Sequence, residues 1–169
     1  MSEHPTGDDL RRALSGGVLA LDVEDIQRLL PHRPPMLLVD RVLSMVPGQH
    51  GVGLKAVSGN ECGLRRRRHG FVFPATFAAE ALAQLAAIVL LYRAADGDPD
   101  PEQEPASPGL LVTIRSLEIH REMVEAERLQ LSVSVLKQFD GFARIQGEAS
   151  IDQGPFISTT FDLALNLDG

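Results

Sequence analysis

Phe77-Ala78-Ala79-Glu80-Ala81-Leu82-Ala83-Gln84-Leu85-Ala86-Ala87-Ile88-Val89-Leu90-Leu91 is the stretch on which the fold of this chain turns. It is apolar on nearly every side, and Glu80 and Gln84 alone interrupt it. A membrane span needs roughly 20 apolar residues and tolerates polar groups poorly. This run is shorter, so the better reading is a helix enclosed by other structure of a soluble fold. Pro74 and Thr76 suit its first turn, and the pattern predicts helix from Phe77 to about Ala95.

Working outward, the C-terminal side is made of strands. Leu110 to Ile119 is apolar and β-branched, and Leu129, Leu131, Val133 and Val135 alternate with Gln130, Ser132 and Ser134. Asp140-Gly141 is a hairpin signal. Ala143, Ile145, Ala149 and Ile151 continue the alternation, as do Phe161, Leu163, Leu165 and Leu167 after a turn at Gln153 to Pro155. Strands with one apolar face need a cover, and the helix from Phe77 is the only element apolar enough to supply it. An α+β fold follows, with an antiparallel sheet wrapped around one long central helix.

On the N-terminal side, residues 1 to 20 read as a flexible tail and 21 to 169 as one domain. Asp22 offers an N-cap to a short helix carrying Val23, Ile26, Leu29 and Leu30, which Pro31 stops. After His32, Arg33, Pro34 and Pro35, Leu37 to Val46 reads as a strand. The turn at Pro47-Gly48 leads to a return strand with Val52, Leu54 and Ala56. Ser58 to Phe73 has no clean period and reads as a long loop of a functional kind. The stretch from Asp96 to Pro108, rich in acidic residues and proline, reads as a solvated loop.

A formal net charge of -7 over 169 residues speaks against nucleic acid and anionic membrane as partners. Cys62 is the only cysteine, so no intrachain disulfide is available, and no secretory pattern opens the chain. A cytoplasmic location is expected. The four arginines Arg65, Arg66, Arg67 and Arg68 stand out as the one dense basic run.

Two further stretches carry a family likeness. Leu30-Pro31-His32-Arg33-Pro34-Pro35-Met36-Leu37-Leu38-Val39-Asp40-Arg41-Val42 resembles the L-P-H-R-x-P-x-L-L-V-D-R-V opening of FabZ-type (FabZ/FabA-like) 3-hydroxyacyl-ACP dehydratases. Glu80-Ala81-Leu82-Ala83-Gln84 resembles the E-A-x-A-Q start of their central helix. The resemblance spans about residues 21 to 167 and implies the hotdog fold. It also implies dehydration of a 3-hydroxyacyl chain held as a thioester on acyl carrier protein, with no metal or redox cofactor. In that family a histidine and a glutamate from opposite subunits of a dimer transfer the protons, and amides at a helix N-terminus polarise the thioester carbonyl.

Carried over residue by residue, the resemblance makes Glu80 the general acid, where the apolar run around it favours the protonated form such an acid needs. Gln84, one turn on, would orient it. The histidine belongs to an H-F-P-G-x-P-V-M-P-G stretch, where this chain has Arg65-Arg66-Arg67-Arg68-His69-Gly70-Phe71-Val72-Phe73-Pro74-Ala75. Counted without a gap, Arg66 takes the histidine's place; with a loop shortened by three residues, His69 does. Ala75 stands where the family has glycine. His32 is read as bonding the turn at Pro34 and Pro35; His120, read in a strand, and His50, read at a turn, have no titratable partner suggested by spacing and are not expected to be site residues.

The arginine run would meet the acidic surface or the phosphopantetheine phosphate of a carrier protein. The lead expectation is a hydro-lyase with His69 as base and Glu80 as acid. One alternative is a catalytically reduced subunit working in a heterodimer with an intact homologue rather than a homodimer. The other is a hotdog thioesterase, in which a carboxylate would activate water.

Overall fold

The computed structural model describes residues 20–59, 64–67, 70–92, 110–124, 128–139 and 141–164. The elements, in chain order, are α1 (Val23–Leu29), β1 (Arg41–Val46), β2 (His50–Ala56), β3 (Arg65–Arg67), β4 (Gly70–Phe73), α2 (Ala75–Leu91), β5 (Leu110–Ile119), β6 (Met123–Val124), β7 (Arg128–Phe139), β8 (Phe142–Ile151) and β9 (Gly154–Ala164). Six strands form an antiparallel sheet in the order β1-β2-β7-β8-β9-β5, and β3-β4-β6 form a second, small one. The expected tail and the residues 93–109 after α2 lie outside the described residues.

The helix α2 lies against the large sheet and is buried from Ala78 to Val89, apart from the half-exposed Glu80. Its length agrees with the sequence reading to within one turn at the start, but Tyr92 is already extended, so it stops short of Ala95. The sheet face turned to it carries Leu129, Leu131 and Val133 of β7, Ala143 and Ile145 of β8, and Phe161 and Leu163 of β9, all buried. These are the alternating residues that the pattern picked out.

In β2 the alternation runs the other way from its apolar residues. Gly51, Gly53 and Lys55 are buried, while Val52 and Leu54 are half-buried and Ala56 is exposed. A Cβ on Gly51 would stand 2.6 Å from Cγ2 of Val89, and one on Gly53 would stand 3.2 Å from Cδ1 of Leu85. The glycines let the helix come close to the backbone of the sheet. Gly147 does the same in β8, where a Cβ would meet Leu82 at 3.1 Å.

Helix α1 is fixed by a reciprocal cap. The Asp22 carboxylate accepts from the amides of Glu24 at 2.9 Å and Asp25 at 3.1 Å, and the Asp25 carboxylate accepts from the Asp22 amide at 3.3 Å. Leu21, just before it, bridges the backbone of Val42 on β1, covering part of that edge. The opposite edge, β5, pairs only with β9 among the described residues. On the outer face Asp162 pins three strands together. Its carboxylate takes Arg115 of β5 at 2.6 Å and Arg144 of β8 at 2.9 Å.

Three expectations need correction. The strand before Pro47 begins at Arg41, because Leu37 to Val39 run buried over α2 without strand pairing. Ser58 to Phe73 is not loop throughout, since β3 and β4 form a hairpin with Arg66 opposite Phe71. That hairpin is only a few residues long, too short for alternation to reveal it. His120 sits just past the end of β5, with Nε2 2.8 Å from the Ser158 hydroxyl and Nδ1 3.7 Å from Glu118.

Candidate active site

Glu80 and Gln84 share one face of α2, one turn apart. Gln84 is 2% exposed, and each atom of its amide is used. Its Oε1 accepts the Leu38 amide at 2.9 Å, and its Nε2 donates to the Met36 carbonyl at 2.8 Å and to Glu80 Oε1 at 2.9 Å. The segment Met36–Leu38 lies outside every strand, so the Met36 carbonyl and the Leu38 amide need this side chain. These contacts fix one oxygen of Glu80 and clamp the segment to the helix.

The Glu80 side chain is 31% exposed, so the apolar enclosure expected around it is open on one side. Oε1 is held by Gln84, and no partner of Oε2 occurs among the described residues. A carboxyl group with one oxygen fixed and the other open is suited to giving or taking a proton.

Sequence reasoning misplaced His32. The turn at Pro34 and Pro35 is closed by Arg33, whose guanidinium donates to the carbonyls of Leu30 at 2.7 Å and His32 at 2.8 Å, and whose carbonyl accepts from Met36 and Leu37. The imidazole turns away to α2, with Nε2 3.6 Å from Glu80 Oε1. Its Nδ1 is buried without a partner among the described residues. The 48-residue separation of the two side chains explains why no local pattern reported the contact.

The basic run is only partly in view. Arg65 and Arg66 lie exposed on β3; of Arg67 only the backbone is described, and Arg68 and His69 lie outside the described residues. β4 passes straight through Pro74 into α2, which fixes the hairpin at the N-terminal end of the helix carrying Glu80. The ring of Phe73 packs edge-on against Phe77 at 6.0 Å across this join. Pro74 caps the helix without a side-chain hydrogen bond, and its carbonyl takes the amides of Phe77 and Ala78. No cluster of metal-ligating side chains occurs among the described residues. No helix there is long and apolar enough to cross a membrane.

Comparison with known proteins places the chain in a family. The 3-hydroxyacyl-[acyl-carrier-protein] dehydratase FabZ of an Anaeromyxobacter species is 38% identical over 133 residues, covering 78% of this chain and 82% of that protein. FabZ of Myxococcus xanthus is 32% identical over 148 residues, covering 84% and 93%. Among solved structures, the dehydratase heterocomplex ApeI:P from Xenorhabdus doucetiae superposes with a TM-score of 0.66 at 19% identity, covering 85% of this chain and 91% of that one. That likeness is one of fold, and it agrees with the hotdog architecture of a large antiparallel sheet around a central helix. Residues 24–163 match the family described as ApeP-like, ApeP dehydratase, so by this match and by its FabZ relatives the chain belongs to the ApeP-like branch of the hotdog dehydratases.

Proposed function

We propose that this chain is a subunit of a dehydratase acting on 3-hydroxyacyl thioesters of acyl carrier protein, with Glu80 as its general acid. The observation that carries the reading is the half-exposed Glu80 carboxyl group, fixed at one oxygen by the buried Gln84. In the reaction a base takes a proton from C2 of the acyl chain, and the electron pair moves into the C2–C3 bond. The 3-hydroxyl leaves as water with the proton from Glu80. The amides at the start of α2 stand ready to polarise the thioester carbonyl. Kinship with named dehydratases favours dehydration over thioester hydrolysis.

The base is His69, acting across a dimer on substrate held at the partner's Glu80. A second reading keeps Glu80 in its role and takes the histidine from a homologous partner in a mixed dimer. It draws support from Arg66, the residue in the histidine's place when the sequence is counted without a gap, because a guanidinium cannot accept a proton at neutral pH. In both readings the dimer forms along β5, an edge strand with one side unpaired among the described residues. The exposed Arg65 and Arg66, with their neighbours Arg67 and Arg68, meet the acidic carrier protein.

Formation of the conjugated enoyl thioester from a 3-hydroxyacyl carrier protein tests both readings, with the chain alone and mixed with an intact homologue. Glu80→Gln is expected to abolish the activity to which this chain contributes. His69→Ala is expected to cost about 10²- to 10⁴-fold if His69 is the base. Turnover that survives Glu80→Gln in every assembly refutes the proposal.

A further inference from the structure

Among the described residues, His32 is the one titratable side chain in contact with Glu80, and its second ring nitrogen decides how it can act. Nδ1 is buried with no partner among the described residues. An N–H in that position would lose its hydration and gain nothing, whereas a bare lone pair there costs less. The ring proton therefore belongs on Nε2, the nitrogen 3.6 Å from Glu80 Oε1.

The neighbouring charges leave this pairing intact. The Arg33 guanidinium is committed to the carbonyls of Leu30 and His32, so it does not take His32's place beside the carboxylate. Gln84 Nε2 already donates to the same Oε1 at 2.9 Å. Two N–H groups thus converge on one oxygen, and Oε2 is left to hold the proton that is transferred.

We infer that His32 is a positioning residue for Glu80, a ring whose Nε2–H is aimed at Oε1 and tightens onto it as negative charge develops there. At 3.6 Å the contact is longer than a hydrogen bond, and it shortens when charge develops on Oε1. Such a donor favours the carboxylate left after proton delivery more than the neutral acid before it, which lowers the barrier of the step. His32 itself exchanges no proton with substrate.

This inference rests on the role given to Glu80 above, and the experiment separates the two. Nitrogen-15 NMR of the whole protein at neutral pH is expected to find a proton on Nε2 of His32, a result independent of any activity. A ring protonated on Nδ1 alone would overturn the inference. In the dehydration assay, His32→Phe keeps the volume but removes the donor, and kcat is expected to fall about tenfold to a hundredfold with KM little changed. His32→Gln returns an N–H near the position of Nε2 and is expected to recover most of the loss. If His32→Phe does not fold, the NMR result and His32→Gln, which is expected to stay within a few-fold of wild type, still decide. Loss of activity in Glu80→Gln with an unchanged kcat in folded His32→Phe sinks the inference alone, whereas full activity in Glu80→Gln sinks the proposed function.

Discussion

Replacing Gln84 by leucine keeps nearly the same volume inside the protein and removes three hydrogen bonds at once. The costs differ by partner. Leu38 is fully buried, so its amide is left with no acceptor and no water, which costs about 1–3 kcal/mol. Met36 is 42% exposed, and its carbonyl can turn to solvent at little cost. The bond to the half-exposed Glu80 is worth about 1 kcal/mol.

Together these changes make the leucine variant less stable by about 2–4 kcal/mol, which for a domain of this size lowers Tm by roughly 5–15 °C. Calorimetry and urea unfolding are the assays, with the midpoint falling and the urea dependence unchanged. Gln84→Glu is the informative companion. It retains an acceptor for Leu38 but faces Glu80 with a second carboxylate, so it is expected to be destabilised through repulsion. A leucine variant that melts within a degree of wild type would show that Gln84 does not clamp Met36–Leu38 to the helix, and would remove the reason for a buried amide at this site.

Gly51→Ala places a Cβ 2.6 Å from the stiff, β-branched Val89, and this overpacking is expected to cost about 1–3 kcal/mol in urea unfolding, with Val89→Ala restoring part of it. The Asp162 carboxyl is held well below the usual carboxylate range by its hydrogen bonds to Arg144 and then to Arg115. The stability it contributes is therefore complete above its unfolded value of about 3.9 and drains away as pH falls below that, so Asp162→Asn should melt lower at neutral pH and lose less on acidification. Light scattering is expected to give a dimer mass, alone or with a homologous partner; a monomer under both conditions at micromolar concentration refutes pairing along β5. Changing Arg65, Arg66, Arg67 and Arg68 to serine is expected to weaken carrier-protein binding and flatten its salt dependence, and an unchanged affinity at low salt would exclude the arginine run as the docking site.

The sequence exposed the architecture wherever one physical effect dominated. A run as apolar as Phe77 to Leu91 can only be enclosed, and the alternation in β7 and β8, and at the end of β9, was regular enough to name Leu129, Leu131, Val133, Ala143, Ile145, Ala149, Phe161 and Leu163. Legibility failed where space rather than hydrophobicity set the pattern. In β2 the residues that face the helix are Gly51, Gly53 and Lys55, because α2 comes too close for larger groups at the two glycines. It failed again at β3, β4 and β6, which are too short to show a period. Glu80 and Gln84 were legible because they break an apolar run one turn apart. His32 was not, since its partner lies 48 residues away and Arg33, its neighbour in the same motif, does the local work of closing the turn.

Those two kinds of residue meet at one carboxyl group, and this bears on how the site can have diverged. The parts that orient Glu80 all belong to this chain: Gln84 from α2, and His32 and the backbone of Met36–Leu38 from the segment after α1. Gln84 and Leu38 among them are locked by burial, so with Glu80 as the proposed acid that half of the site is assembled within one subunit. The proposed base half depends on the β3–β4 hairpin, which is short and leads through Pro74 into α2. A change of length or residue in that hairpin disturbs no buried hydrogen bond of the acid half. Loss of a histidine there is consequently cheap in stability and leaves Glu80 ready for use. A subunit built in this way can give up its own base without giving up its acid, which is the condition a mixed dimer needs.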